Sequence, residues 1–272
     1  MTTHANASSS PAREGNKMAW PLRRVGLRVL DLNATVDYYK KLGLAVVRDE
    51  SEKGTVSLGF GPEEVLVLRE LPGGRPRPPR TAGLYHFALL LPGEVALGSF
   101  LRYSLEQNIP IDGASDHLVS QALYLSDPEG NGIEVYADRP RESWQWNGNE
   151  IGMATLPLRA NALLNLAQPF EGFPTDSRLG HMHLNVGNLD RSQEFYQTLG
   201  MDATARIPNQ AYFMSWDRYH HHLGLNVWNG RNARPVEPDV SGIDFYEIAR
   251  PGLKPGVYQD PDGVTVIVSP TE

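Results

Sequence analysis

The sequence contains no cysteine, and it has no uninterrupted apolar stretch of membrane-spanning length. Disulfide bonds, thiolate metal ligands and cysteine nucleophiles are therefore excluded, and the composition fits a protein of the reducing cytoplasm. Basic residues are also fewer than acidic ones, 25 against 32, with a formal net charge of −7 and no basic stripe. We therefore expect neither nucleic acid nor a membrane as a partner.

The rest of the composition is that of an ordinary globular protein, with 40% hydrophobic and 21% charged residues. A chain of 272 residues can form one large domain or two small ones with a full hydrophobic core. Residues 1–19 are small and polar, and we predict that they form a disordered tail. His4 is therefore discounted as a metal ligand.

Two segments of the chain repeat each other. DLNATVDYYKKLGL begins at Asp31 and NLDRSQEFYQTLGM begins at Asn188, and they match at one constant offset. Each follows an alternating apolar run, which predicts a strand. Each also starts with a capping-type residue and reaches a glycine near its end, which predicts a helix between them. A strand–helix unit therefore occurs twice.

A second pair of segments follows these units. GLYHFALLLPG begins at Gly83 and GIDFYEIARPG at Gly242, and each leads to a strand, a D-P-x-G turn and another strand. The later segment reaches its turn sooner, by about the length of a helix and its loops. We therefore predict four repeats, of which the fourth is shortened.

The repeats divide the chain into parts. Residues 20–142 hold repeats one and two, and residues 178–270 hold repeats three and four. Residues 143–177 are interpreted as a linker between them. The repeating unit of a strand, a helix and further strands predicts a protein that contains both helices and strands.

Three residues are candidate metal ligands. A lone histidine in an apolar strand is more often a hydrogen-bonded core residue, but His86 and His181 stand at equivalent places, each at the head of a repeat's first strand. Glu134 lies in the apolar strand IEVY, where a carboxylate is costly to bury without a cation or a partner. An edge-strand glutamate facing water is the alternative for this position. Two imidazoles and a carboxylate together form the facial triad that suits Fe(II).

With these residues the chain resembles a known family. The phrases that carry the resemblance are GLYHFALLLP, SDHLVSQALYLSDPEGNGIEVYADRP, LGHMHLNVGNLDRSQEFY and YHHHLGLNVWNGRNA. Over nearly all of residues 20–270 the chain is similar to the vicinal oxygen chelate superfamily, and within it to extradiol dioxygenases of the catechol 2,3-dioxygenase type. The resemblance implies an α+β protein of four βαβββ-type modules that form two curved mixed-sheet barrels, the fourth module being shortened. It also implies one mononuclear site for Fe(II), with Mn(II) as the alternative ion.

The resemblance further implies which repeats form the site. His181 would come from repeat three, and His86 and Glu134 from repeat two. Members of the family more commonly take all three ligands from the last two modules. Here repeat four has Phe245 and Ile267 at the positions that match His86 and Glu134. Repeat one likewise has Arg24 where a ligand histidine would stand. Repeats two and three are therefore expected to form the site, while repeats one and four pair with each other.

The same resemblance assigns catalytic roles to His117 and Tyr124, and to one histidine of the run HHH. Two registers are open, one favouring His221 and the other His222, and strand alternation allows only one of them to face the site. A surface hairpin histidine, a core aromatic residue and a solvent-facing loop are the plain structural alternatives for these positions.

The function implied is the opening of catechol or a substituted catechol by dioxygen, in aromatic hydrocarbon catabolism, giving a hydroxymuconic semialdehyde. The partners would be a small aromatic diol and O2, and a homo-oligomer is left open. One alternative is a glyoxalase- or isomerase-type metalloenzyme, which the lack of a further carboxylate ligand in HHHLGLNVWNG disfavours. The other is a non-catalytic protein that binds aromatic ligands, which the shortened fourth repeat supports.

Overall fold

The computed structural model describes residues 20–271, and the predicted tail over residues 1–19 lies outside them. In chain order the first two repeats contain β1 (Leu22–Val29), α1 (Leu32–Leu42), β2 (Ala45–Glu50), β3 (Thr55–Phe60), β4 (Glu63–Glu70), β5 (Gly83–Leu91), α2 (Glu94–Glu106), β6 (Gly113–Asp116), β7 (Ser120–Ser126) and β8 (Gly132–Asp138). The remaining elements are β9 (Trp146–Asn147), β10 (Glu150–Ile151), β11 (Leu156–Pro157), α3 (Ala160–Leu166), β12 (Arg178–Asn185), α4 (Leu189–Thr198), β13 (Asp202–Ile207), β14 (Ala211–Ser215), β15 (Leu223–Asn226), β16 (Gly242–Ala249), β17 (Gly256–Gln259) and β18 (Thr265–Ser269).

Two large mixed sheets contain most of these strands. The seven-stranded sheet has the order β17-β18-β16-β1-β4-β3-β2, and the nine-stranded sheet has the order β11-β6-β7-β8-β5-β12-β15-β14-β13. The first sheet therefore joins repeats one and four, and the second joins repeats two and three. The predicted α+β class and the predicted pairing of the repeats are both confirmed.

The repeats have the predicted internal order. Repeats one, two and three each run strand, helix and three further strands, whereas residues 242–269, which are all described, contain three strands and no helix. Both predicted helix starts are capped as the sequence indicated. The Asp31 side chain accepts a hydrogen bond from the Ala34 amide at 2.9 Å, and the Asn188 side chain accepts one from Arg191 at 3.0 Å. Helix α1 ends at Gly43 with φ of 109°, a left-handed conformation that glycine adopts without strain.

The aspartate of each D-P-x-G turn accepts a hydrogen bond from the helix of the preceding repeat. Tyr39 on α1 donates its hydroxyl hydrogen to the Asp127 carboxylate at 3.0 Å. In the same way Tyr196 on α4 donates to Asp260 at 2.9 Å. Since Asp127 belongs to repeat two and Asp260 to repeat four, each bond fixes a helix to the repeat that follows it.

The core joins the two sheets. One continuous cluster of buried apolar side chains includes Leu27 from the seven-stranded sheet and Phe87 and Leu184 from the nine-stranded sheet. Burial of this kind is the main stabilising contribution in a protein of this size. None of the helices described is both long and apolar enough to cross a membrane.

Candidate metal centre

Strand β5 separates the hydrophobic core from the candidate site. Its side chains alternate, so that Phe87 and Leu89 belong to the main core cluster while Ala88 belongs to a smaller cluster on the other face. His86 has the same parity as Ala88 and lines a cavity on that other face. Apart from Tyr85, which is 43% exposed, the run GLYHFALLL is therefore buried on both faces, and the polar His86 is buried with it.

Three adjacent strands bring the predicted ligands together. Glu134 on β8 pairs with Ala88 on β5, and Ala88 pairs in turn with His181 on β12. Residues that pair across neighbouring strands point to the same face of a sheet. His86 lies two positions from Ala88 and therefore also points to this face. The small alanine in the middle of the row leaves space for the larger side chains to converge above it.

The donor atoms of the three side chains form a nearly equilateral triangle. His86 Nε2 lies 3.0 Å from Glu134 Oε2 and 3.2 Å from His181 Nε2, and His181 Nε2 lies 3.1 Å from Glu134 Oε2. All three residues are buried. Ligand atoms bound at about 2.2 Å on one face of an octahedral ion are about 3.1 Å apart, so the triangle fits such an ion. Among the described residues, these three form the group that could hold a metal.

The protonation states also suit metal binding. Burial lowers the pKa of His181 to about 4, against the attraction of Glu134, so its imidazole is neutral at pH 7. Burial alone would raise the pKa of Glu134, but the neighbouring histidines outweigh it and hold the pKa well below its usual value. A metal site requires neutral imidazoles and an ionised carboxylate. The donor set therefore fits a divalent cation in its geometry and its charge.

A cavity of about 490 Å³ opens beside the triangle. This volume lies in the range typical of small-molecule sites. Phe213 and Trp228 contribute aromatic surface to the cavity, and Ile151 and Met153 contribute apolar surface from the segment 143–177. In the structure this segment, interpreted from the sequence as a linker, therefore also forms part of the cavity wall.

The structure brings Tyr124 and His117 into the cavity wall, next to each other. The Tyr124 hydroxyl lies 2.6 Å from His117 Nε2, and His117 Nδ1 lies 2.7 Å from the carbonyl oxygen of Ala154. A carbonyl oxygen can only accept, so the neutral His117 carries its hydrogen on Nδ1. Its Nε2 then accepts the hydrogen of Tyr124. Tyr124 also pairs directly with Glu134 across β7 and β8, on the face that carries the ligands.

Of the two histidines left open by the sequence, the structure brings only His221 to the cavity. Its ring centroid lies 4.2 Å from that of His181. His222 lies elsewhere, with Nδ1 2.9 Å from the Ser215 hydroxyl and its ring 4.9 Å from that of Trp20. The structure therefore gives no support to a catalytic role for His222.

His183 is a site residue that the sequence reasoning missed. It lines the cavity, and burial, followed by repulsion from His86 and His181, holds its pKa well below the usual value. Gly224 lies opposite it on β15, where a Cβ atom would be only 2.8 Å from the His183 ring. The signal was present in the motif HMH, because two histidines at alternate positions of one strand point to the same face.

In the structure, the residues of repeat four that match His86 and Glu134 are not metal ligands, as the sequence predicted. Phe245 pairs with Gly26 in the seven-stranded sheet, as His86 pairs with His183 in the other. Ile267 pairs with Glu247, as Glu134 pairs with Ala88. The register thus confirms the repeat alignment that was read from the sequence.

Known proteins are similar to this chain in sequence and in fold. A model of the Glyoxalase/Bleomycin resistance protein/Dioxygenase superfamily matches residues 22–135. The chain is also 40% identical, over 233 residues, to a catechol-2,3-dioxygenase of Bacillus subtilis (strain 168). This match covers 83% of the present chain and 81% of the relative. The chain belongs to the vicinal oxygen chelate superfamily. The resemblance carried by the sequence motifs is thereby confirmed.

Solved structures show the superfamily fold at lower sequence identity. Glyoxalase I from Zea mays matches with a TM-score of 0.54 and 18% identity, over 91% of this chain and 91% of that one. The cppA protein from Streptococcus pneumoniae TIGR4 matches with a TM-score of 0.57 and 12% identity, over 92% of this chain and 99% of that one. At these identities the likeness concerns the arrangement of the sheets.

Proposed function

We propose that this protein is an extradiol-type dioxygenase that opens the ring of catechol or a substituted catechol at a mononuclear Fe(II) bound by His86, Glu134 and His181. The observation that carries the proposal is the triangle of two imidazole nitrogens and one carboxylate oxygen at the wall of a partly aromatic cavity. The relative from Bacillus subtilis, named a catechol-2,3-dioxygenase, supports the same substrate class.

The ligand set suits an ion that must also bind substrates. The three side chains would hold the ion and leave room in its coordination for the diol and dioxygen. Bound Fe(II) would supply electron transfer between the aromatic diol and dioxygen and would orient both reactants. The reaction adds both oxygen atoms to the ring and breaks one carbon–carbon bond beside the diol. The product is a hydroxymuconic semialdehyde.

Tyr124 and His117 would bind and orient the diol. The His117 ring is fixed by its Nδ1 hydrogen bond to Ala154, and it accepts the hydrogen of Tyr124 through Nε2. The lone pairs of the Tyr124 oxygen therefore remain available to accept a hydrogen bond from a substrate hydroxyl. Burial, with the charge of Glu134, raises the pKa of Tyr124 far above its usual value, so this hydroxyl stays protonated.

His221 would act as the acid–base residue. Its ring lines the cavity close to His181. Burial, followed by repulsion from His181 and His220, holds the pKa of His221 well below the usual value, so the imidazole is neutral. A neutral imidazole can take the proton that a diol hydroxyl loses and return it at a later step. The side chains of Phe213 and Met153 exclude water from the ring of the substrate.

Anaerobic reconstitution tests the proposal. The protein would be loaded with Fe(II) in one sample and with Mn(II) in another, and catechol, 3-methylcatechol and 4-methylcatechol would be added before oxygen. We expect oxygen uptake in step with formation of a yellow ring-opened product. Glu134→Ala is the matched control, and it should lose both the metal and the activity. Absence of oxygen uptake with every catechol and both metals would refute the dioxygenase function, and a metal-dependent isomerisation without oxygen would favour the glyoxalase-type alternative.

A further inference from the structure

A chain of three titratable side chains runs from the cavity to Asp138, the last residue of strand β8. His221 Nδ1 lies 2.7 Å from His220 Nδ1, and His220 Nε2 lies 2.9 Å from Asp138 Oδ1. His220 is fully buried, whereas the Asp138 side chain is 24% exposed. The exposed end of Asp138 lines a surface groove at the start of helix α2. The metal ligands themselves take no part in this chain.

The hydrogen-bond partners determine where each hydrogen lies. The Asp138 carboxylate can only accept, so His220 Nε2 must carry a hydrogen and donate it. A neutral His220 then has a bare Nδ1, which can only accept. His221 must therefore carry its hydrogen on Nδ1 and donate it to His220. The remaining ring nitrogen of His221, Nε2, is left with a lone pair for the cavity.

We propose that Asp138 and His220 are positioning residues that hold His221 in its Nδ1–H tautomer, with a bare Nε2 presented to the substrate. The role of Nε2 as the base that takes a proton from the diol rests on the proposed function. In the opposite tautomer the nitrogen at the cavity would carry a hydrogen, and it could not take a proton from the diol.

Packing keeps the chain in this orientation. The His220 ring centroid lies 4.0 Å from that of Tyr219 and 5.2 Å from that of Trp144, so two aromatic groups pack against this ring. The Tyr219 hydroxyl donates a second hydrogen bond to Asp138 Oδ1 at 3.1 Å. Burial and the charge of Asp138 raise the pKa of Tyr219 well above its usual value, so Tyr219 remains a donor. The carboxylate is therefore fixed from two sides.

The tautomer can be measured without turnover. Protein with ¹⁵N-labelled histidine, loaded with diamagnetic Zn(II), would be studied by long-range proton–nitrogen correlation NMR. The signals of His221 would be assigned by their loss in His221→Gln. We expect a protonated Nδ1 and an unprotonated Nε2 in the unmodified protein. An Nε2–H tautomer, or an even mixture of the two, would overturn the proposal.

Two substitutions and a matched control separate positioning from general stability. Asp138→Ala removes the acceptor, so the His221 signals should shift toward a mixture of tautomers. Asp138→Asn keeps an acceptor oxygen for His220 Nε2 and should restore the Nδ1–H form. Asp190→Ala is the control, because Asp190 also accepts from a tyrosine, Tyr212, on an exposed surface. The proposal fails if Asp138→Ala leaves the tautomer unchanged, or if Asp190→Ala changes it equally.

Kinetics with the Fe(II)-loaded protein complete the test. Asp138→Ala should lower kcat by at least about tenfold with little change in KM, because base catalysis is lost while the cavity is kept. An equal loss in Asp190→Ala would assign the effect to stability. If no catechol is turned over at all, the proposed function fails, but the NMR result still decides the tautomer. The two failures are therefore distinguishable.

Discussion

Arg24 occupies, in the seven-stranded sheet, the register position that His181 occupies in the nine-stranded sheet. Arg24 pairs with Glu247 on the neighbouring strand, as His181 pairs with Ala88. Its guanidinium group lies 2.6 Å from the Glu247 carboxylate and 2.8 Å from that of Glu64. The first sheet therefore has a positively charged arginine side chain at the position where the second sheet has a candidate metal ligand.

Replacing this cation should destabilise the protein without affecting the metal site. In Arg24→Met, two carboxylates would lose this partner, those of Glu247 and Glu64, whose side chains are only 13% and 16% exposed in the unmodified protein. The lost charge-assisted hydrogen bonds should lower the free energy of unfolding by about 1–3 kcal/mol, and Arg48, which also contacts Glu64, limits the loss. Urea denaturation measures this change.

Arg69→Met is the matched control for Arg24→Met. Arg69 pairs with Asp244 in the same sheet at 2.7 Å, but its side chain is 54% exposed. An exposed ion pair contributes about 1 kcal/mol or less, so this variant should lose less stability than Arg24→Met. Equal losses would contradict a special role for Arg24, and metal content should be unchanged in both variants.

The small side chain of Ala88 should be required for metal binding. Ala88 pairs with Glu134 on one side and with His181 on the other, so its side chain points to the same face as theirs. In Ala88→Leu the added carbons would displace one of the ligands, and metal affinity should fall by at least about tenfold. Calorimetric titration with Zn(II) measures the affinity, and circular dichroism shows whether the variant is folded. Ala88→Gly should keep the metal, and full affinity in a folded Ala88→Leu would contradict the site assignment.

Tyr124→Phe should reduce turnover while leaving the metal bound. The hydroxyl group that is removed contacts His117 at 2.6 Å but is not one of the three candidate ligand atoms. We expect kcat to fall by about 10- to 100-fold at unchanged iron content, because the substrate loses an orienting hydrogen bond. Tyr212→Phe, which removes a tyrosine hydroxyl bound to Asp190, is the control. Loss of iron in Tyr124→Phe would instead place this tyrosine among the ligands.

The arrangement of the repeats could be predicted because it follows from residues that are present or missing at matching positions. The family resemblance assigned the ligand positions, and Phe245 and Ile267, which cannot bind a metal, excluded repeat four from the site. The D-P-x-G turns, which give strong local signals, fixed the alignment. The pairing of repeats two and three followed directly.

The choice between His221 and His222 could not be predicted, since neither lies within a strand. Strand β15 begins only at Leu223, after a turn in which Asp217 and Arg218 adopt positive φ values of 55° and 53°. Glycine usually marks such a conformation, and its absence here left the register open. The hydrogen-bonded chain from His221 through His220 to Asp138 could not be predicted either, because it depends on contacts between repeats two and three.

Asp260 should make stability depend on pH in a direction unusual for a carboxylate. Burial raises the pKa of Asp260 to about 6, against hydrogen bonds from Val264 and Tyr196 that lower it. The folded protein therefore retains this proton at pH values where the unfolded chain has lost it. The sign follows from proton linkage: between about pH 4 and pH 6 this group lowers the free energy of unfolding as the pH rises, by about 2–3 kcal/mol in total.

The contribution of Asp260 is measured as a difference between variants. Asn cannot ionise, so the free energy of unfolding of Asp260→Asn should increase relative to that of the unmodified protein as the pH rises from 4 to 7. This holds whatever the difference in stability between the two proteins at pH 4. Urea denaturation at a series of pH values gives this difference. Tyr196→Phe removes a bond that lowers the pKa of Asp260, so it should extend the pH window upward. A difference that does not vary with pH would contradict the assignment.

The nested pairing of the repeats has a consequence for the order of folding. Strand β1 needs β16 as its neighbour, and Arg24 and Glu247 are 223 residues apart in the sequence. Strand β5 must likewise wait for β12. Contacts between residues so distant in sequence form slowly, so the inner strands of both sheets stay exposed as unpaired edges during synthesis. Until repeat three has emerged from the ribosome, His86 and Glu134 have no third partner, and a metal ion cannot stabilise the nascent chain through the complete triangle.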